Sequence, residues 1–149
     1  MKIRTHLKAA ALFAAMFATT TLSAQDTVIR SNELPKNAQQ HLRKAFGSQR
    51  IVQAEKETTL GVVKDYKAIL ANGTEVEFER NGQWKEMENK KAGIPYNAMP
   101  AAISNYLKRN YARVLVEKIE KENRGYKVDL SNGLKLKFDS KGKFLRIDS

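Results

Sequence analysis

The sequence predicts an α+β protein made by tandem duplication, each unit being one helix packed on a four-stranded antiparallel sheet. Three observations predict it. First, Tyr66-Lys67-Ala68-Ile69-Leu70-Ala71-Asn72-Gly73-Thr74-Glu75-Val76-Glu77-Phe78 reads as a β-hairpin: a Tyr/Ala/Leu alternation leads in, Asn-Gly bends the chain, and a Val/Phe alternation leads out. Second, the same grammar returns 60 positions later, residue for residue, in Tyr126-Lys127-Val128-Asp129-Leu130-Ser131-Asn132-Gly133-Leu134-Lys135-Leu136-Lys137-Phe138. Third, a Leu-Pro or Met-Pro pair and an amphipathic stripe precede each hairpin, the second 65 positions after the first.

Residues 1–24 are set apart as an export signal. Lys2, Arg4 and Lys8 form a basic start, Ala9 to Ala18 a short apolar run, and Leu22-Ser23-Ala24 a small-residue cleavage site. The run falls short of the ~20 apolar residues of a membrane span. No Cys follows it, which closes the lipid-anchored route, and a chain without Cys must hold together by core packing.

Residues 25–33 are polar and expected as a loose lead-in. The first unit, 34–88, opens on Leu34-Pro35, with Ala38, Leu42, Ala45 and Phe46 on one helical face and Gly47 as the stop, so a helix is expected over 35–46. A first strand follows over 51–57. The hairpin supplies strands two and three, and Arg80-Asn81-Gly82-Gln83 turns the chain into strand four over 84–88. Gly93 and Pro95 mark 89–98 as a linker. The second unit, 99–149, repeats the order: a stripe of Ala102, Ile103, Tyr106, Leu107, Asn110 and Tyr111, then strands over 114–122, 126–130, 134–139 and 144–147. The change of offset from 65 to 60 places five extra residues, around Thr59 to Val63, in a turn of the first unit. Units of about 50 residues are marginal alone, so the halves are expected to support each other.

Leu-Pro opening an amphipathic helix, a strand ending Glu-Lys-Glu, Tyr before the hairpin and Phe-x-x-x-Gly-x-Trp closing it resemble the PepSY-like, or β-lactamase-inhibitor-like, family of exported bacterial proteins. The resemblance covers residues 34–147. It implies tandem helix-on-sheet units that bind a protein through a shared sheet surface, in the periplasm or outside the cell. No inhibitory contact residues of the family are matched here.

Composition leaves little room for catalysis. There is no Cys, and beyond the signal the only histidine is His41, at the edge of the first helical stripe. No nucleophile with an orienting third group can be assembled around it, and an enzyme is not expected. Nor is a cofactor or metal: zinc spacing and a calcium loop are both missing. Glu75, Glu77 and Glu79 share one face at about 7 Å steps, but such carboxylates diverge and read as a solvated face. Nucleic acid is not expected as a partner, because the Lys-rich segments lack ordered stacking aromatics.

Removing Lys2, Arg4 and Lys8 from 27 Lys+Arg leaves 24 against 16 Asp+Glu, a formal +8. Two functions follow: a non-enzymatic exported module binding an envelope or exported protein, inhibition being one form of that, or an envelope-associated protein holding anionic polymers through its basic surface. A monomer is expected in preference to an obligate oligomer. The open sheet face, centred on strand four, is the expected partner surface. In the first unit strand three offers Glu75 and Glu77 and in the second Lys135 and Lys137, a difference that steers the halves together, orients a partner or is drift after duplication. Asp139-Ser140-Lys141-Gly142 suits a type I turn with a glycine bulge, setting Phe144 beside Phe138 and Trp84 beside Phe78 on the helix side, with Met87, Leu145 and Ile147 outward. A two-residue turn would exchange these faces. Either register leaves apolar residues on the open face beside Ile69, where they meet a partner or each other.

Overall fold

The structure, a computed structural model, describes residues 23–148. The basic start and apolar run of the expected export signal lie outside those residues. The described residues form nine strands and two helices: β1 (Gln25–Ile29), α1 (Lys36–Phe46), β2 (Ile51–Thr59), β3 (Val62–Leu70), β4 (Glu75–Glu79), β5 (Trp84–Glu88), α2 (Ala101–Asn110), β6 (Val116–Glu122), β7 (Gly125–Leu130), β8 (Lys135–Asp139) and β9 (Phe144–Asp148). Two 3-10 turns, Ser31–Glu33 and Tyr96–Ala98, precede the helices.

The expected pair of four-stranded sheets is not what forms. All nine strands make one antiparallel sheet in chain order, β1 through β9. Two pairings account for the difference. β5 accepts β6 through Glu86↔Glu120, Met87↔Ile119 and Glu88↔Lys118, joining the halves across what would have been two sheet edges. Left apart, those edges would carry unpaired backbone donors and acceptors and two exposed apolar side chains; joined, Met87 and Ile119 are both fully buried. The residues expected as a loose lead-in supply the other pairing: β1 lies along β2, with Val28 opposite Glu55 and Ile29 opposite Ala54. The five extra residues lengthen the β2–β3 hairpin, which turns at Leu60 and Gly61, both with positive φ.

Both helices pack on one face. Helix α1 begins after Pro35, and its buried residues are Ala38, Leu42, Ala45 and Phe46; α2 begins after Pro100 and buries Ile103, Ser104 and Leu107. Beneath them lie Ala68, Leu70, Val76 and Phe78 of one half and Val128, Leu130, Leu136 and Phe138 of the other, in one continuous core. Each buried side chain of that size contributes roughly 1.5–3 kcal/mol. Two glycines seat the helices. A Cβ on Gly82, in the β4–β5 turn, would stand 2.6 Å from Pro35 Cβ, and one on Gly142, in the β8–β9 turn, 2.9 Å from Ala102 Cβ. Both glycines have φ near +80° (82° and 78°), so they close their turns and let the helix starts approach the backbone.

The turns themselves share one form. In the β8–β9 turn the Gly142 N–H donates to the Asp139 carbonyl and the Asp139 N–H to the Lys143 carbonyl, and the β4–β5 turn repeats this with Gly82, Glu79 and Gln83. This is the type I turn with a glycine bulge, not the two-residue alternative. Asn89, in the segment joining the halves, is buried. Its amide donates to the Thr74 hydroxyl at 2.9 Å and its carbonyl oxygen accepts from the Lys91 and Ala92 N–H groups.

Candidate functional site

The helix-free face of the sheet carries alternating charge. Lys67 pairs with Glu75 at 2.6 Å, Lys85 with Asp65 at 2.6 Å and Glu77 at 3.8 Å, and Lys118 with Glu86 at 2.6 Å. Lys137 bridges Glu122 and Asp148. The hydrogen bond from Lys67 to Glu75 holds the ammonium above its ordinary pKa. Desolvation, with Glu86 adding to it, pushes the Glu77 carboxyl up. Glu75 and Glu77 of β4 therefore face lysines rather than an open cation site. Among the described residues no three His, Cys, Asp or Glu side chains converge to hold a metal ion, and no helix is long and apolar enough to cross a membrane.

Of the residues expected on this face, Ile69, Glu75, Glu77, Lys135 and Lys137 are there, set by the pairings Ile69↔Glu75, Lys67↔Glu77, Asp129↔Lys135 and Lys127↔Lys137. Leu145 is there too, half exposed, in the position that Lys85 takes in the first half. Trp84 and Phe144 sit beside Phe78 and Phe138 on the helix side, as the bulged turn requires. Met87 and Ile147 differ from expectation. A second irregularity, between Glu77 and Phe78 and again between Lys137 and Phe138, inserts one residue into β5 and β9. That residue, Lys85 or Leu145, reverses the alternation. Met87 then opposes Val76, and Ile147 opposes Leu136, both on the helix side. Met87 is fully buried under α1, while Ile147, on the edge strand, stays 50% exposed. Strand four of the first half thus leaves Lys85, Glu86 and Glu88 on the open face, and no apolar side chain.

A second feature lies on the opposite face, between α1 and the segment that leads into α2. The His41 ring stacks on Trp84 with centroids 6.2 Å apart and its Nε2 lies 3.5 Å from Met87 Sδ. Desolvation, reinforced by Lys121 and Lys44, depresses the imidazole pKa to about 4, so the ring is neutral at pH 7. Lys121 Nζ sits 4.5 Å from the Trp84 ring centroid, a cation–π contact, and desolvation lowers its pKa against the opposing charge of Glu79. His41, Trp84 and Lys121 surround a cavity of about 270 Å³ together with Lys44, Asn97 and Tyr126. Sequence reasoning treated His41 alone. The alternation of Glu120-Lys121-Glu122 already sets Lys121 on the face opposite its two glutamates, but the approach of Trp84 follows only from the β5–β6 pairing.

A meander of antiparallel strands with both helices on one face, and charge without catalytic grouping on the other, defines a helix-backed sheet module. The chain belongs to the PepSY-like family, described as "Putative beta-lactamase-inhibitor-like", whose model matches residues 64–146. It is similar to a solved structure described as a "putative calcium-regulated periplasmic protein" of Bacteroides thetaiotaomicron, with 35% identity, 83% of this chain and 97% of that one covered, and TM-score 0.74. Two periplasmic proteins of Bacteroides vulgatus are also similar: one of the DUF2874 family, with 34% identity, 83% and 97% coverage and TM-score 0.73, and one of unknown function, with 35%, 84% and 100%, and 0.72. No curated protein matches. All three neighbours are described as periplasmic, which assigns this protein to the periplasm.

Proposed function

We propose that the protein is a non-enzymatic binding module that engages a partner protein through the helix-free face of its sheet. The observation that carries this is the segregation of layers: both helices cover one side of nine hydrogen-bonded strands, and the other side is bare. At ~4.8 Å per strand that bare face is about 40 Å wide, ample for an interface of standard size. Its alternating ammonium and carboxylate groups favour recognition by charge complementarity, with Ile69 and Leu145 as apolar points within it. The family's likeness to β-lactamase inhibitors makes inhibition one form such binding could take.

Affinity capture from periplasmic extract tests the proposal. The wild-type protein should recover one stoichiometric protein, and the open-face variant Lys135→Glu/Leu145→Glu should lose it. The helix-side variant Lys108→Glu should retain it. Recovery of glycans or lipids alone, or equal loss in both variants, rejects the open face as the partner surface.

One observation favours the second function, an envelope-associated protein holding anionic polymers. Helices α1 and α2 carry Lys36, Arg43, Lys44, Lys108 and Arg109 and no carboxylate, so the net charge is concentrated on the helical side. Envelope association that weakens steeply with salt supports it; salt-independent association with a single protein rejects it.

A further inference from the structure

We propose that the cavity between α1 and the 97–100 segment leading into α2 binds a small oxyanion ligand, a carboxylate or phosphate on a compact body, with Lys121 and Lys44 as its cationic contacts. The cavity is lined by both ammonium groups and by no carboxylate. Lys121 is half-buried and, among the described residues, makes no ion pair, whereas Lys67, Lys85, Lys118 and Lys137 on the other face each hold a carboxylate. Its ammonium rests instead on Trp84. Glu79 opposes that charge but forms no ion pair with it, and a desolvated cation left without a close anion prefers one.

The surroundings reinforce that preference. Neither helix carries an acidic residue, so the cleft lies in a positive field that no carboxylate of the helical layer offsets. His41 contributes no charge at pH 7 but closes one wall. Asn97 donates its amide to the Lys44 and Ala45 carbonyls at 3.4 and 3.3 Å, long bonds that a stronger acceptor in the cavity would replace. Trp84 and Tyr126, with centroids 6.1 Å apart, supply an aromatic wall for a small organic body. At about 270 Å³ the cleft is below the ~300–1,000 Å³ of pockets for drug-sized molecules, a size that suits a compact ligand. The cavity is on the face opposite the proposed protein-binding surface and stands independently of it.

Trp84 is the single tryptophan of the chain, so its emission reads this cavity directly. Titration of the protein with inorganic phosphate, and separately with succinate, at an ionic strength held constant with sodium chloride, should give a saturable change with at least one of them. A phosphate response alone identifies a phosphate site, and a succinate response alone a carboxylate site. Lys121→Met should weaken the response at least tenfold, and Lys44→Met should weaken it too. Lys127→Met, on the open face, should leave it unchanged. Because Lys121→Met also alters the surroundings of Trp84, the backbone amide resonances of His41 and Asn97 provide a second readout: they should shift saturably in the wild-type protein and not in the variant. If Lys121→Met does not fold, the exposed Lys44→Met carries the same expectation. No saturable change with either anion, or a change that survives in Lys44→Met and in folded Lys121→Met alike, overturns the proposal.

Discussion

Met87 of β5 and Ile119 of β6 face each other across the middle of the sheet, and both are fully withdrawn from solvent. This pair makes one protein of two halves. Beside it, on the open face, Lys118 reaches Glu86 at 2.6 Å. Separating the halves would expose both apolar side chains and leave two unpaired strand edges. Ile119→Ala should therefore cost about 2–5 kcal/mol while unfolding stays a single transition, with Trp84 fluorescence and far-ultraviolet circular dichroism changing together. Fragments 25–89 and 98–149 should be poorly folded. A sharp thermal transition in each fragment, like that of the whole chain, would show that the seam is dispensable.

Much of this architecture was legible, because it rests on local signals. Alternation located the hairpins, the Pro-led stripes located both helices, and the preference of Asp139-Ser140-Lys141-Gly142 for a type I turn gave the partners of Trp84 and Phe144. What escaped depended on pairings without a local marker. Whether β5 ends a sheet or continues into β6 is decided by strands separated by a helix and a linker, and neither strand's sequence states it. The residue inserted at Lys85 and Leu145 leaves the turn unchanged yet reverses the face of everything after it, which is why Met87 was expected outward and is buried. β1 carries no strand signal of its own, because Gln25-Asp26-Thr27-Val28-Ile29 shows no apolar alternation. Alternation places Ile69, Glu75, Glu77, Lys135 and Lys137 on one face, but the ion pairs on that face depend on the register between strands, which no single strand states.

Turn glycines should divide by what surrounds them. Gly73 has φ +85° and nothing near where a Cβ would project. Gly73→Ala should cost about 1–2 kcal/mol, the ordinary penalty of a left-handed conformation. Gly82→Ala adds a contact with Pro35 Cβ at 2.6 Å and with Ala38 N at 3.0 Å. It should cost about 1–3 kcal/mol more, as overpacking does. Urea midpoints of the two variants check the order. Equal losses would mean that the start of α1 gives way freely.

Leu107 is fully buried on the inner face of α2, as its place in the helical stripe requires. Leu107→Ala should cost about 2–5 kcal/mol, and Leu107→Met, which nearly conserves volume, under about 1.5 kcal/mol. Chemical denaturation of both variants tests this. A loss below about 1 kcal/mol for the alanine variant would show that the second half collapses around the gap.

His41 makes stability depend on pH with a definite sign. Its imidazole pKa is depressed from the ordinary 6.5 to about 4 by desolvation and by the charges of Lys121 and Lys44. The unfolded chain therefore binds a proton at higher pH than the folded one, and stability must rise with pH between those two values. Above about 6.5 neither state is protonated at His41 and its full contribution is present. As pH falls toward 4 the unfolded chain takes up the proton first and the folded state loses ground. Carboxylates titrate in the lower part of this range, so the informative comparison is between pH 7 and pH 5. Over that interval the urea midpoint of the wild-type protein should fall. His41→Phe keeps an aromatic ring against Trp84 but cannot be protonated, and should fall measurably less. Parallel losses in the two proteins would show that His41 titrates normally and that its packing against Trp84 and Met87 leaves it open to water.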